Sequence, residues 1–95
     1  MQVAVIVEEK IKDGQKGAYI EHMREMIALT KEEDGCIAYD LYENADGSGG
    51  VVMVEVWESK EALDKHIQSE HFTRLVPAAA IYEEAPPNVR ILNLL

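Results

Sequence analysis

Cysteine, proline and basic residues are all scarce in this sequence. Its 95 residues include one cysteine and three prolines. A single thiol, that of Cys36, cannot form an internal disulfide, so we expect a reducing, cytoplasmic environment. The 9 Lys and Arg residues face 18 Asp and Glu residues, which gives a net charge of −9. Because little here would neutralise phosphates, we expect neither nucleic acid nor an anionic membrane as a partner.

Long apolar segments are absent as well. No basic stretch followed by an apolar run opens the chain, so we expect no signal peptide and no transmembrane span. There is no internal repeat and no low-complexity segment. The length suits one domain over residues 1–95. A chain this short buries only about two-thirds of its unfolded surface on folding, so a partner subunit would help to stabilise it.

Apolar patterning and turn residues predict alternating strands and helices. The predicted strands are 3–7, Cys36–Glu43, Val51–Trp57 and 88–94. The predicted helices are 16–33, one that starts after the N-cap Ser59, and 69–76, with a kink or restart at Pro77 and a continuation over 78–82. The glycine-rich loop 44–50 indicates an antiparallel hairpin. This βαββαβ order predicts an α+β, ferredoxin-like fold with two helices on one face of a four-stranded antiparallel sheet.

The predicted strands carry apolar side chains on both faces of the sheet. In the third strand, for example, Val52, Val54 and Val56 alternate with Val51 and Met53. Two helices can cover only one face of a sheet. The other face would then expose more apolar surface than a soluble monomer usually does. The sequence therefore predicts a homodimer in which the sheets of two subunits pack face to face.

Glu55 interrupts the apolar strand Val51–Trp57. Alternation places Glu55 on the same face as Trp57, and a hairpin centred in the glycine-rich loop places Tyr39 opposite Glu55 and Ile37 opposite Trp57. A buried carboxylate must be hydrogen-bonded, paired or protonated. Either Glu55 makes a buried hydrogen bond that fixes strand pairing, or this mixed face lines a cavity. The sequence leaves open whether the helices cover the mixed face or the aliphatic face.

His66 is the second unusual residue. It follows Ala62 by four residues and Leu63 by three, so it lies on the apolar stripe of its helix and faces inward. An imidazole can shuttle a proton near neutral pH, and the alternative is a buried histidine bonded to the backbone. We expect His71 at the surface or a rim, and His22 in solvent. We expect no metal site, because the histidines show no i, i+4 pairing and no cysteine pair exists.

Three segments together resemble the antibiotic biosynthesis monooxygenase (ABM) domain. They are Asp34-Gly35-Cys36-x-x-Tyr39-x-Leu41, Glu55-x-Trp57-x-Ser59 and Ala62-Leu63-x-x-His66-x-x-Ser69-x-His71-Phe72. The resemblance covers nearly the whole chain, and the order and spacing of the segments together make it fairly specific. The resemblance implies a ferredoxin-like domain that dimerises through its sheets into a dimeric α/β barrel. That expectation agrees with the homodimer inferred from uncovered apolar surface.

The resemblance also implies a function. Known activities in the family include oxidation of polycyclic phenols and quinols by dioxygen, without flavin, haem or metal. We therefore expect a monooxygenase without a cofactor that acts on a small quinol or polyhydroxylated aromatic. His66 would be the catalytic base or proton shuttle. Four residues would bind the substrate. Tyr39 and Trp57 would hold the ring and Phe72 would close the pocket, while Glu55 would orient His66 or hydrogen-bond the substrate.

The sequence leaves two alternatives to a monooxygenase, an isomerase and a non-catalytic dimer, and argues against a third. Haem-degrading relatives carry an asparagine on the first strand, and residues 2–9 contain none, which argues against haem degradation. An isomerase acting on a small signalling metabolite would use His66 as its acid and base. A ligand-binding or stress-related dimer would perform no catalysis. Fold alone does not decide among these functions.

Overall fold

The computed structural model describes all 95 residues. In chain order the elements are β1 (Val3–Glu9), α1 (Lys16–Lys31), β2 (Cys36–Glu43), β3 (Val51–Trp57), α2 (Lys60–Ile67), α3 (Glu70–Ala78), a 3-10 turn (Ala79–Tyr82) and β4 (Asn88–Asn93). The strands form one antiparallel sheet in the order β2-β3-β1-β4. The predicted ferredoxin-like fold is therefore confirmed. None of the helices combines the length and apolar composition needed to cross a bilayer.

Serine caps set the starts of α2 and α3. The hydroxyls of Ser59 and Ser69 each accept a hydrogen bond from the backbone N–H three residues further on. Such caps satisfy donors that have no partner within the helix. We expected a kink or restart at Pro77. The proline instead lies within α3, which continues to Ala78 before the chain tightens into the 3-10 turn.

The helices cover the mixed face of β3. Val51, Met53, Glu55 and Trp57 are all buried, whereas the valines that alternate with them are only half-buried. This decides the alternative that the sequence left open. The aliphatic face of the sheet points away from the helices and has no layer of this chain over it.

The β2–β3 register was predicted in part. Tyr39 pairs with Glu55, as expected. The expected pairing of Ile37 with Trp57 is wrong, because a bulge between Cys36 and Ala38 places Cys36 opposite Trp57. A bulge adds one residue without a partner on the opposite strand. Ile37 is that residue, and half of its surface is exposed.

Strand β1 runs two residues further than the sequence predicted. Glu9, its last residue, therefore lies on the inner face with Val5 and Val7 and is 8% exposed.

Strand β4, which forms the edge of the sheet next to β1, is only partly covered. Val89 and Ile91 point to the inner face opposite Val7 and Val5, yet more than half of each side chain is exposed. The space between sheet and helices is thus less covered along β4 than elsewhere.

Candidate active site

A cavity of about 160 Å³ lies between the inner face of the sheet and the helices. Most of its lining is aliphatic or aromatic, and its charged or titratable groups are Glu9, Glu55, His66 and two tyrosines, Tyr19 and Tyr39. An apolar pocket with a few polar groups is the usual form of a small-molecule site. An engineered apolar cavity of about 150 Å³ binds benzene, so one aromatic ring matches this volume.

Four of the five predicted site residues line this cavity. They are Tyr39, Glu55, His66 and Phe72. The fifth, Trp57, is fully buried and lies behind them. Its ring centroid is 4.6 Å from that of His66, and its Nε1 donates a hydrogen bond of 2.9 Å to Oε1 of Glu55. Trp57 therefore supports two residues of the lining rather than forming a wall itself.

His66 faces inward, as its position on α2 predicted, and only 1% of its surface is exposed. Aromatic rings surround it. The ring centroid of Tyr39 is 5.4 Å away and that of Phe72 is 5.2 Å away, both edge-on to the imidazole. Burial among these rings lowers the pKa of His66, while the nearby carboxylate of Glu33 acts in the opposite direction. Desolvation is the larger effect and favours the neutral imidazole.

Glu33 connects two histidines. Its Oε2 lies 2.6 Å from Nδ1 of His66 and 2.8 Å from Nε2 of His71. Because an ionised carboxylate can only accept hydrogen bonds, both nitrogens carry the proton in these contacts. A neutral His66 with its proton on Nδ1 has its lone pair on Nε2. That Nε2 atom is buried and makes no hydrogen bond within the chain.

Glu55 is a carboxyl group that can hold a proton near neutral pH. Burial raises its pKa to about 7, although the hydrogen bond from Trp57 pulls the other way and the charge of Glu33 raises it further. The hydrogen bond from Trp57 uses Oε1, which leaves Oε2 available to a ligand. Tyr39 stays protonated, because burial together with the charge of Glu55 raises its pKa far above the usual value.

A second carboxyl, that of Glu9, lies at the opposite end of the cavity. Tyr19 donates its hydroxyl proton to Oε2 of Glu9 in a buried hydrogen bond. Burial, and after it a hydrogen bond with the carboxyl of Glu83, raises the pKa of Glu9 to about 8. Burial of Glu9 beside a second carboxyl thus favours holding a proton there, and a neutral carboxyl can both donate and accept hydrogen bonds.

Comparison with known proteins identifies the family. A sequence model described as antibiotic biosynthesis monooxygenase matches residues 2–78. The chain belongs to this family. Its relative "Putative monooxygenase Rv0793" of Mycobacterium tuberculosis is 43% identical over 70 residues, which are 74% of this chain and 68% of that protein. The structure of Rv0793 superposes with a TM-score of 0.92 and 36% identity, over 100% of this chain and 96% of that one.

The chain is also similar to more distant proteins. YcnE of Bacillus subtilis, whose name also describes a monooxygenase, is 25% identical over 80 residues, which are 84% of each protein. SnoaB of Streptomyces nogalater superposes with a TM-score of 0.85 over 98% of this chain and 92% of that one. At 12% identity, SnoaB is similar in fold alone.

The sequence did not reveal Glu33, and its expectations for the positions of His71 and His22 had different outcomes. Glu33 contacts residues 33 and 38 positions further along the chain, and no local periodicity reports such contacts. His71, expected at the surface or a rim, is half-buried. The expectation that His22 lies in solvent is wrong. It is half-buried, and its Nε2 is 2.8 Å from the carbonyl oxygen of Leu75.

Glu33, His66 and His71 together have the donor set of a metal site. The ligand atoms of Glu33, His66 and His71 all lie within 4.8 Å of one another. Two imidazoles and one carboxylate can bind Zn²⁺ or Fe²⁺. The histidines follow each other at i, i+5 across the junction of α2 and α3, a spacing that a search for i, i+4 pairs misses. The separations of 2.6 and 2.8 Å are those of hydrogen bonds between these groups.

Proposed function

We propose that this protein is a cofactor-independent monooxygenase that oxidises a small quinol or polyhydroxylated aromatic with dioxygen. The observation that carries the proposal is the state of His66, a buried imidazole in the cavity lining with Nδ1 bound to a carboxylate and Nε2 without a partner. The names of the relatives support a monooxygenase. SnoaB, similar in fold, is described as a cofactor-independent oxygenase, which supports the absence of a cofactor.

His66 would act as the general base. Neutral His66 takes the proton of a phenolic hydroxyl on Nε2, and the imidazolium that forms is stabilised by the carboxylate of Glu33, 2.6 Å from Nδ1. A base is most effective when its pKa lies near the working pH, which holds for an imidazole. Glu33 also prevents the ring from placing its proton on Nε2, so it is a positioning residue.

The substrate would supply the electrons. A quinolate can reduce dioxygen once it is deprotonated, with one oxygen atom forming a bond to a ring carbon and the other leaving as water. For 1,4-dihydroxybenzene the balanced products are hydroxy-1,4-benzoquinone and one water. The quinol gives up all the electrons that reduce dioxygen, and the ring carbon loses its hydrogen. His66 returns the phenolic proton to the departing oxygen.

The apolar walls suit such a reaction. Phe72 and Tyr39 can pack against an aromatic ring, and Met53 and Leu63 complete an apolar lining around it. Excluding water strengthens the electrostatic interactions of the few polar groups and protects reactive oxygen intermediates. Glu55, with its free Oε2, can hydrogen-bond the substrate beside His66.

The experiment measures dioxygen uptake with 1,4-dihydroxybenzene. We expect consumption well above the uncatalysed rate, and a loss of roughly 10²- to 10⁴-fold in His66→Gln, which removes the base. His22→Gln is the matched control, since His22 is absent from the cavity lining. No uptake above background by the natural protein would contradict the proposal. An unchanged rate in His66→Gln would remove His66 from the mechanism. Turnover of a small carbonyl compound without dioxygen would favour the isomerase instead.

We also propose a homodimer formed by the outer faces of two sheets. Ile6 and Val54 pair with each other on the two central strands, and both point away from the helices. Val52 and Val56 lie beside them, and Leu92 on β4 is 44% exposed. An apolar face of this kind, without a covering layer, is typical of a subunit interface.

A further inference from the structure

The proposed reaction makes no use of Glu9, although its side chain lines the same cavity as His66. Glu55 pairs with Val5 on β1, and Glu9 is four residues further along that strand. At 3.3–3.4 Å per residue, the two carboxyl-bearing positions are about 13 Å apart along the sheet. Val7 and Met53, which pair with each other, lie between them. The cavity thus has a polar group at each end and apolar walls in the middle.

The two ends differ in chemistry. At one end Glu55 and His66 offer a free carboxyl oxygen and a base. At the other end Tyr19 and Glu9 are joined by a buried hydrogen bond. A carboxyl group buried to this extent is costly unless it forms hydrogen bonds. Tyr19 provides one to Glu9, and a carboxyl that holds a proton can also hydrogen-bond a ligand oxygen.

We propose that Glu9 and Tyr19 form a second binding end that holds an oxygen substituent para to the hydroxyl that meets His66. The assignment of the first end rests on the proposed function. Because the polar groups lie toward opposite ends of one cavity and its volume suits one ring, the preferred ligand is a para-dihydroxybenzene. A phenol would leave the second end without a partner, and a catechol has both oxygens on neighbouring carbons.

The test is a calorimetric titration without dioxygen, so that binding is measured apart from oxidation. The probes are 1,4-dihydroxybenzene, 1,2-dihydroxybenzene and phenol. We expect the natural protein to bind the 1,4-diol about tenfold more tightly than the other two probes, as one additional hydrogen bond provides. In Glu9→Leu the affinity for phenol should persist while the preference for the 1,4-diol falls to within about twofold.

Two further variants make the test specific. Glu9→Gln should keep most of the preference, because an amide also donates and accepts. Glu8→Leu is the matched control, since Glu8 is exposed on the outer face and should leave the preference unchanged. Tyr19→Phe should reduce the preference severalfold, and it replaces Glu9→Leu if circular dichroism shows that the latter does not fold.

The outcomes separate this inference from the proposed function. Equal affinity of the natural protein for the 1,4-diol and for phenol would overturn the inference, as would a preference that survives in Glu9→Leu and in Tyr19→Phe. Preferential binding of the 1,4-diol without dioxygen uptake would contradict the proposed function alone. Dioxygen uptake without any preference for the 1,4-diol would contradict this inference alone.

Discussion

Nδ1 of His66 lies 2.6 Å from Oε2 of Glu33, and this oxygen also lies 2.8 Å from Nε2 of His71. One carboxylate oxygen thereby connects the turn after α1 with α2 and α3. The imidazole of His66 is held in one tautomer and one orientation by a residue that does not line the cavity. The chemistry proposed for the cavity therefore depends on how the ends of three helices pack.

Replacing Glu33 with Gln tests its positioning role. We expect kcat for quinol oxidation to fall at least about tenfold with little change in KM, because the amide cannot stabilise the imidazolium as a charge does. The rate requires neutral His66, so it rises with pH through the pKa of His66. Glu33 holds that pKa up against the lowering effect of burial. In Glu33→Gln the acidic limb of the pH–rate profile should therefore move to lower pH.

Glu32→Gln is the control for this prediction, since Glu32 is the exposed neighbour of Glu33. Its kcat and pH–rate profile should match those of the natural protein. A Glu33→Gln variant that keeps both quantities would show that the contact with His66 is structural only.

Replacing Glu55 with Gln should change how stability depends on pH. Burial raises the pKa of Glu55 from 4.5 to about 7 in the folded chain. The unfolded chain releases this proton near pH 4.5, whereas the folded chain keeps it until about pH 7. Proton binding by Glu55 therefore stabilises the folded state fully below pH 4.5, and this stabilisation is lost as the pH rises through about 7. The variant has no such loss. Its free energy of unfolding relative to the natural protein should rise by about 1–3 kcal/mol from about pH 5 to about pH 8.

Urea denaturation at the two pH values, at one protein concentration, measures this difference. Glu58→Gln is the control, because Glu58 is exposed directly after β3 and is absent from the cavity lining. A difference that is flat for Glu55→Gln would contradict a buried, proton-holding Glu55.

Local signals in the sequence predicted most of the fold. Alternation in β3 and the glycine-rich loop correctly placed Tyr39 opposite Glu55. Ser59, interpreted as an N-cap, correctly predicted the start of α2, whereas α3 begins one residue after the predicted start and runs on to Ala78. The bulge at Ile37 was missed, because an extra residue in one strand leaves the hydrophobic pattern ambiguous about register.

The candidate site was less predictable, since it is assembled from distant segments. His66 was identified because a histidine on an apolar stripe is unusual, and the position of that stripe is local information. Glu33 lies after the last turn of a helix, where charged residues are common, so nothing local distinguishes it. Glu9 was missed because the run of β-branched residues ends at Val7 while the strand pairing continues to Val51.

Replacing Gly35 with Ala should disturb the contact between helix ends. The backbone φ of Gly35 is +86°, and a Cβ there would lie 2.6 Å from Cβ of Ala62 on α2. Ala62 precedes His66 by about one helical turn. We expect a loss of about 2–4 kcal/mol in the free energy of unfolding, from the left-handed conformation and from overpacking together. We also expect a lower kcat, because α2 must move relative to Glu33.

Gly14→Ala separates these two contributions. Gly14 also has a positive φ, +78°, but nothing lies within 4 Å of its added Cβ. Its cost should be about 1 kcal/mol, from the backbone conformation alone, with kcat unchanged. Equal costs for the two variants in urea denaturation would show that the end of α1 and α2 are not packed as described.

Replacing Val54 with Lys should dissociate the proposed dimer. Val54 lies on a central strand, on the face that no helix covers, and its neighbour there is Ile6. A lysine ammonium group at the centre of this apolar interface would lose its hydration and gain no partner. The cost to the dimer is far larger than the gain from packing the aliphatic part of the lysine side chain. At micromolar concentration, sedimentation equilibrium should give twice the chain mass of 10.7 kDa for the natural protein and 10.7 kDa for the variant.

The control is Ala28→Lys, at an exposed position of α1, which should stay dimeric. A natural protein that sediments as a single chain would rule out this interface, and the half-buried valines of the outer face would then need another explanation.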